Sequence, residues 1–321
     1  MGAGLCDHGA AAHGTFVAAR SHAGKMERAV RWLMLCVVIA IGGGASGARD
    51  RAVGTPVQTE IFGESAAYER FMGRWSSRLA PLLVKFAGVR EADSVLDIGS
   101  GTGALAFAIA GTVPTARIMG VDPSAAYVAY AQTRAPNDRV RFVVGDAQQL
   151  QLADDTFDRV LSLLVVNFIP DPAKALREMI RVTRPDGVIA AAVWDYGEEM
   201  QMLRVFWDEA VARDPTAAAR DERNMPLCRP GELAALWRAH GLAQVEELPL
   251  TIQLSFASFD DYWSPFLGGQ GPAGAYVAGR TESDRAALRL RLRQRLLGDG
   301  PDRAFTLQAR AWAVKGVVPR R

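Results

Sequence analysis

A glycine-rich turn between an apolar run and a helical run constrains this chain more than any other feature. The run Ser94-Val95-Leu96 predicts a buried strand, and Asp97 stands at its end. Three glycines then alternate with other residues: Gly99, Gly101 and Gly103. Residues without a Cβ adopt such a turn most easily, and the run 104–110 predicts a helix directly after it. A ligand can therefore lie against backbone N–H groups at a helix start.

The charge of Asp97 narrows the kind of ligand that this turn suits. Phosphate loops of the P-loop type add Lys and Ser or Thr after the last glycine, whereas here Ala104-Leu105-Ala106 follows. A fixed carboxylate repels a phosphate and attracts an ammonium or sulfonium group. The spacing Gly99-x-Gly101-x-x-Ala104 also fits a relaxed dinucleotide fingerprint, so an NAD(P)-dependent oxidoreductase is the main alternative.

Strands and helices alternate after this turn, which predicts a parallel sheet covered on both faces. Asp122 closes the second predicted strand, before Pro123, and Asp146 follows the third strand, before Ala147. Asp122 can accept hydrogen bonds from two ribose hydroxyls, or it can cap the next helix. Asp146 can accept from an adenine amino group while the Ala147 N–H bonds a ring nitrogen, although Gly-Asp is also an ordinary turn.

Taken in order, these residues resemble the motifs of the class I S-adenosylmethionine (SAM)-dependent methyltransferases, whose first motif reads D-x-G-x-G-x-G. The resemblance covers about residues 60–195 and includes Phe157-Asp158 and Arg184-Pro185. The chain looks most like the broad small-molecule group that contains the ubiquinone/menaquinone C-methyltransferases. Those quinone enzymes carry Gly-x-Arg-Asn after strand four, of which only Asn167 is retained here, so a quinone substrate is not carried over.

The resemblance implies an α/β fold: a doubly wound, Rossmann-like sheet of seven strands with the last strand antiparallel. Helices cover both faces, and a helical lid is inserted after strand five. We therefore expect a methyltransferase domain over residues 57–321, with a cofactor half at 60–195 and a substrate and lid half at 196–321.

Four local features are also predicted from the pattern. Gly73 ends a first helix, the fourth strand runs from Asp158 to Val166, and residues 268–274 form a loop. The arginines of a helix at about 281–297 are interpreted as a solvated face.

The motif positions and the N-terminal helical segment predict a set of SAM-binding residues: Asp97, Gly99, Ser100, Gly101, Gly103, Asp122, Pro123, Asp146, Ala147, Asn167, Tyr68 and Arg74. Arg74 can pair with the methionine carboxylate, and Tyr68 can contact the methionine part or the substrate. The alternative is an amphipathic cover helix with a solvated arginine.

The predicted reaction is methyl transfer to a small organic acceptor by in-line displacement. The sequence offers few candidates for a general base, because His240 is expected at a surface helix end. Asp195 and Tyr196 follow strand five, at the edge where doubly wound sheets bind ligands, and are the candidate catalytic residues. A SAM-binding protein without chemistry is the second alternative. No metal site is expected, and the target atom and the oligomeric state are left open.

Residues 1–56 differ from the rest of the chain. They hold six of the 37 basic and three of the 35 acidic residues, which leaves 31 basic and 32 acidic residues beyond them. This balance argues against a nucleic-acid partner. We interpret 1–56 as a leader, either disordered, signal-like or translated from upstream of the true start. A cytoplasmic protein is expected, with no stable membrane partner unless the apolar segment within residues 26–48 acts as an export signal or anchor.

Overall fold

A seven-stranded sheet lies at the centre of residues 65–320, the part of the chain that this computed structural model describes. The strands are β1 (Ser94–Ile98), β2 (Arg117–Asp122), β3 (Val140–Val144), β4 (Phe157–Leu163), β5 (Thr183–Trp194), β6 (Ala243–Phe256) and β7 (Phe305–Val317). Their spatial order is β3-β2-β1-β4-β5-β7-β6; the strands β1 to β5 pair in parallel, and β7 pairs antiparallel with both β5 and β6. The predicted doubly wound sheet is confirmed.

Helices surround this sheet. Those after residue 73 are α1 (Arg74–Ala87), α2 (Ala104–Thr112), α3 (Ala125–Thr133), α4 (Pro172–Val182), α5 (Gln201–Arg213), α6 (Glu232–Ala239), α7 (Phe259–Trp263), α8 (Gly271–Ala278) and α9 (Glu282–Leu297). The central strands are apolar because helices shield them; residues 189–194 of β5, for example, are all buried. Helices therefore do follow strand five, and a second group lies between β6 and β7. Their action as a lid stays a prediction.

Two of the predicted boundaries are wrong for the same reason, a misjudged backbone conformation. Gly73 does not end a helix: its φ is −56°, and a π-helical turn at Glu69–Gly73 continues into α1, which ends at Gly88 with φ +65°. The fourth strand stops at Leu163, because Leu164 has φ +64°. A 3₁₀ turn at Val166–Phe168 follows and places Asn167 beside the sheet edge.

Two further expectations, both for the C-terminal third of the chain, are wrong in part. Residues 268–274 are only partly a loop, since α8 begins at Gly271 with a proline in its first turn. The arginines of α9 are not simply solvated: Arg291 and Arg295 both pair with Glu209 of α5, and Arg289 pairs with Asp260 of α7. These ion pairs attach α9 to its neighbours.

None of the helices within residues 65–320 is long and apolar enough to cross a membrane. The predicted leader at 1–56 and its apolar segment lie outside the described residues.

Two glycines offer a matched test of the packing beneath the glycine-rich turn. A Cβ on Gly120 would lie 2.4 Å from the Phe142 ring and 2.8 Å from the Cβ of Ser100, whereas a Cβ on Gly111 meets nothing within 4 Å. Gly120→Ala should lower the free energy of unfolding by about 1–3 kcal/mol through overpacking. Gly111→Ala, near the end of α2, should raise it by roughly 0.5–1 kcal/mol. Urea denaturation checks both; equal effects would contradict this packing.

Candidate active site

Three acidic residues follow one edge of the sheet. Asp97 lies in β1, Asp122 ends β2 and Asp146 comes directly after β3. Because these strands are adjacent and parallel, their carboxyl ends meet at the same edge, where doubly wound sheets bind ligands. The exposed fraction is 1% for Asp97 and 7% for Asp122, and Asp146 is exposed. This edge is therefore acidic, and its carboxylates are buried at β1 and β2.

The glycine-rich turn adopts the left-handed backbone that its sequence predicts. Its three glycines all have positive φ, of +69°, +51° and +95°: Gly99, Gly101 and Gly103. A Cβ on Gly99 would also lie 2.4 Å from a methyl carbon of Val165, so the turn packs tightly against the end of β4. The N–H groups of Gly99 and Ser100 both donate to the Val121 carbonyl. The turn is thus fixed to β2 and β4.

Asp122 organises this turn. One of its carboxylate oxygens accepts from the Gly101 N–H at 2.9 Å, and the other accepts from the Ser124 N–H at 2.8 Å. The helix-capping role considered for Asp122 belongs to Ser124, whose hydroxyl accepts from the Tyr127 N–H, while Pro123 between them is exposed. Burial raises the pKa of Asp122, and its two N–H donors oppose that shift. Asp122 therefore sits between the turn and the start of α3.

Buried polar groups without partners cluster around the turn. Within residues 65–320, no hydrogen bond is made by either carboxylate oxygen of Asp97, the hydroxyls of Ser100 and Thr102, or the amide of Asn167. A buried polar group without a partner costs about 1–3 kcal/mol. Four such side chains on one loop and the neighbouring strand ends point to a polar ligand that supplies their hydrogen bonds.

The protonation of Asp97 depends on that ligand. Burial and, less strongly, the nearby Asp122 raise the pKa of Asp97 to about 8, against the opposing effect of the Ala106 N–H, which faces the carboxylate without forming a full hydrogen bond. A carboxylate in this position is ionised at neutral pH only if a positive charge accompanies it. Asp97 is therefore suited to a cationic group and unsuited to a phosphate.

Tyr68 lies beside this cluster. Its ring centroid is 5.5 Å from that of Tyr127 in α3, and its hydroxyl bonds with Ser76. Burial raises the pKa of Tyr68, and the charges of Glu69 and Asp122 add to the shift, which places the phenol near Asp122. Tyr68 thus lies near Asp122, and its contact with the methionine part or the substrate stays a prediction.

Asp146 and Ala147 form the outer end of the site. The Asp146 carboxylate accepts from the backbone and side-chain N–H groups of Gln148, and Ala147 is half-buried. The Gly145 N–H donates to the Asp122 carbonyl, which ties this segment to β2. Adenine recognition by Asp146 and Ala147 stays a prediction.

The Arg74 guanidinium forms hydrogen bonds with residues outside the glycine-rich turn. It donates twice to the Asp261 carboxylate, at 2.6 and 3.1 Å, and once to the Ser255 carbonyl. It also lies over the Trp75 ring, with its Cζ 4.1 Å from the centroid. Neither the cofactor contact nor the solvated arginine expected from the sequence describes this geometry. Arg74 joins α1 to α7, and we remove it from the cofactor-binding set.

Asp195 also has a structural partner. Its carboxylate accepts from the Arg310 guanidinium at 2.9 and 2.5 Å and from the Glu198 N–H at 3.0 Å. These contacts hold the loop after β5 against β7. Asp195 is therefore a positioning residue here and not a free base, which corrects one of the two catalytic candidates.

Tyr196 remains as the candidate beside this loop, together with a residue that the sequence analysis missed. The Tyr196 ring centroid lies 6.4 Å from that of Phe168, and burial raises the pKa of Tyr196 well above its usual range. Glu222 is buried in a 3₁₀ turn, and burial raises its pKa to about 7. No pattern in the sequence indicates this burial, because Asp221-Glu222-Arg223 has the composition of an exposed charged run.

No group of three or more His, Cys, Asp or Glu side chains within residues 65–320 is arranged to hold a metal ion. The groups without partners around the turn are a carboxylate, two hydroxyls and an amide. They fit a ligand with a cationic centre and several hydroxyl or amino groups, which describes SAM.

Comparison with known families matches the same part of the chain. Residues 96–191, from β1 to β5, match the family described as "Methyltransferase domain". The matched segment contains the glycine-rich turn and the carboxylates at the ends of β1, β2 and β3. The family match therefore falls on the residues that the geometry singles out.

Two relatives are similar to this chain in sequence, one named as a methyltransferase and one uncharacterized. The chain is 38% identical over 118 residues to the ubiquinone/menaquinone biosynthesis C-methyltransferase UbiE of Bdellovibrio bacteriovorus, covering 36% of this chain and 49% of that protein. It is 29% identical over 220 residues to the uncharacterized protein Rv1405c of Mycobacterium tuberculosis, covering 66% and 79%.

A solved structure shares the fold. Phosphoethanolamine N-methyltransferase 2 of Haemonchus contortus, in complex with S-adenosyl-L-methionine, superposes with a TM-score of 0.51 at 19% identity. The match covers 82% of this chain and 57% of that one.

The raised pKa of Asp97 gives a pH test that needs no ligand. A carboxyl whose pKa is higher in the folded than in the unfolded state destabilises the protein increasingly as pH rises from the unfolded to the folded value. Relative to wild type, Asp97→Asn should therefore gain melting temperature between about pH 4 and about pH 8, and level off above that. The exposed Asp138→Asn, which also removes one carboxylate but lies outside the site, is the control. A melting-temperature difference that does not change with pH for Asp97→Asn would show that Asp97 is not held in this environment.

Proposed function

Because the chain is a class I SAM-dependent methyltransferase, we propose that it transfers the methyl group of SAM to a small organic acceptor. The observation that carries the proposal is the buried Asp97 carboxylate without a hydrogen-bond partner in the described residues, next to a turn whose three glycines have positive φ. A methyl donor with a positive charge offsets the free-energy cost of keeping that carboxylate ionised in a buried position.

The residues present divide among the parts of such a donor. Asp97 is placed for the cationic α-ammonium, with the unpartnered Ser100, Thr102 and Asn167 side chains around it. Asp122, at the adjacent strand end, is assigned to the ribose hydroxyls, since its two N–H bonds leave further lone pairs on both oxygens. When bound, SAM supplies a methyl group on a sulfonium, which is already activated for transfer.

The protein's part in the reaction is mainly alignment. The turn is fixed by its bonds to Val121 and Asp122, so it holds its ligand in one orientation. Alignment of reacting groups can supply roughly 7–11 kcal/mol of a barrier. The balance of 31 basic and 32 acidic residues beyond residue 56 supports a small molecule over a nucleic acid as acceptor. Since SAM is made and used in the cytosol, we also propose a cytoplasmic protein.

Ligand-induced stabilisation tests the cofactor assignment. At a concentration of about 100 Kd, S-adenosylhomocysteine should stabilise the full chain by about 2.7 kcal/mol, and NAD⁺ or NADH should not shift its melting temperature. Asp122→Ala should remain folded and lose the shift, because it removes the acceptor of the Gly101 N–H as well as the proposed ribose contact. A shift with NADH alone would favour the oxidoreductase alternative instead.

Transfer of label tests the chemistry. Incubation of the protein with methyl-labelled SAM and a bacterial metabolite extract should yield a labelled small molecule, and the Asp97→Asn variant should yield none. Stabilisation by S-adenosylhomocysteine without any labelled product would mean a SAM-binding protein without chemistry.

A further inference from the structure

The 3₁₀ turn Glu222–Asn224 lies against the loop that follows β5. A Cβ on Gly197 would be 3.5 Å from the Arg223 carbonyl and 3.7 Å from an Asp195 carboxylate oxygen, so the two segments are in contact. The turn therefore stands at the carboxyl edge of the sheet, the edge that carries the glycine-rich turn.

Glu222, the first residue of this turn, is 5% exposed. One carboxylate oxygen accepts from the Trp207 indole N–H at 2.6 Å. Within residues 65–320, no other side chain donates to it; the nearby Arg204 is instead paired with Asp221. Glu222 thus keeps one oxygen available, with its negative charge only partly balanced.

Tyr196 supplies a second polar group at the same place. It is 4% exposed and directly precedes Gly197, the β5-loop residue that contacts the 3₁₀ turn. Burial is the main cause that disfavours its phenolate, and negative charge on Glu222, Cys228 or Tyr68 adds to that effect. Tyr196 therefore stays a neutral phenol, whose hydroxyl can donate a hydrogen bond.

Aromatic residues connect this pair to the cofactor side. The Phe168 ring lies against Tyr196 and directly follows Asn167, whose amide has no partner in the described residues. The Phe168 and Tyr196 rings thus form an aromatic wall that extends from Asn167 to the β5 loop, and this loop contacts the 3₁₀ turn that carries Glu222.

Building on the proposed function, we propose that Glu222 and Tyr196 bind the methyl acceptor, that this acceptor is a phenol, and that Glu222 accepts its hydroxyl proton. The aromatic wall matches the ring, Tyr196 donates a hydrogen bond to the phenol oxygen, and the open Glu222 oxygen accepts one from the phenol O–H. Burial of Glu222 suits it to this task, since a base with a pKa of about 7 is half ionised at neutral pH.

The step balances as written. The phenol O–H bond breaks and its proton goes to the Glu222 carboxylate. The oxygen's electron pair forms the new bond to the methyl carbon, and the pair of the broken C–S bond stays on sulfur. The products are a methyl ether, S-adenosylhomocysteine and protonated Glu222, which returns its proton to water.

A purely structural role for Glu222, as a partner for Trp207, makes a different prediction. In that case Glu222→Gln and Trp207→Phe should both lower the melting temperature and leave acceptor binding alone. Glu222→Gln keeps an oxygen for the Trp207 N–H, so the variant is expected to fold, and its melting temperature and S-adenosylhomocysteine affinity verify this.

The test measures binding of a phenol and of its methyl ether to the full chain saturated with S-adenosylhomocysteine. The probes are 1-naphthol and 1-methoxynaphthalene, followed by calorimetry. Wild type should prefer the phenol by about tenfold, the worth of a hydrogen bond to a charged group, and this preference should rise as pH increases through about 7. Glu222→Gln should lose both the preference and its pH dependence. Glu198→Gln, an exposed carboxylate on the β5 loop, is the control that retains them.

Two results would overturn the inference: equal affinity of wild type for the two probes, or a preference for the phenol that survives in Glu222→Gln. Failure of S-adenosylhomocysteine to bind would be a different result, because it would overturn the proposed function and this inference with it.

Discussion

The burial of Asp97 without a partner in the described residues is the constraint on which the site depends. The fold places this carboxylate at the end of a central strand, 1% exposed, where an ionised group is costly. The rise of its pKa to about 8 reflects the free-energy cost of ionising it there. A protein keeps such a group where a ligand compensates it, and the compensation must be a positive charge. The methyl donor of this family carries one, so the same feature that weakens the ligand-free fold selects the ligand.

The backbone around Asp97 is fixed by hydrogen bonds that do not involve it. Asp122 accepts from the N–H groups of Gly101 and Ser124, which joins the glycine-rich turn to the start of α3. The turn is closed on its other side by Val165 against Gly99. The hydrogen-bonded turn and the Asp97 carboxylate therefore have separate roles. The turn orients the ligand, and the carboxylate selects for its positive charge. Arg310 holds Asp195 in a comparable way and so fixes the loop after β5 against β7.

The sequence predicted what depends on local pattern and missed what depends on distant pairing. Glycines at Gly99, Gly101 and Gly103 require positive φ wherever they occur in such a turn, and the alternation of strands and helices predicts a parallel sheet covered by helices, although it does not give the strand order. Arg74 and Asp195 were assigned to ligands because their partners, Asp261 and Arg310, lie 187 and 115 residues away and no periodicity reveals them. Glu222 was missed because it lies within a charged run, and its burial is known only from the structure, where Trp207 bonds to it and its turn contacts the β5 loop.

Proton release on cofactor binding tests the central claim most directly. At pH 7 a carboxyl with a pKa of about 8 is mostly protonated, and it must ionise to pair with a cationic ligand. Calorimetric titration of the full chain with SAM in buffers of different ionisation enthalpy should therefore show release of most of one proton, and Asp97→Asn should abolish that release. SAM binding to wild type without proton release, or with a release that Asp97→Asn leaves unchanged, would contradict the account.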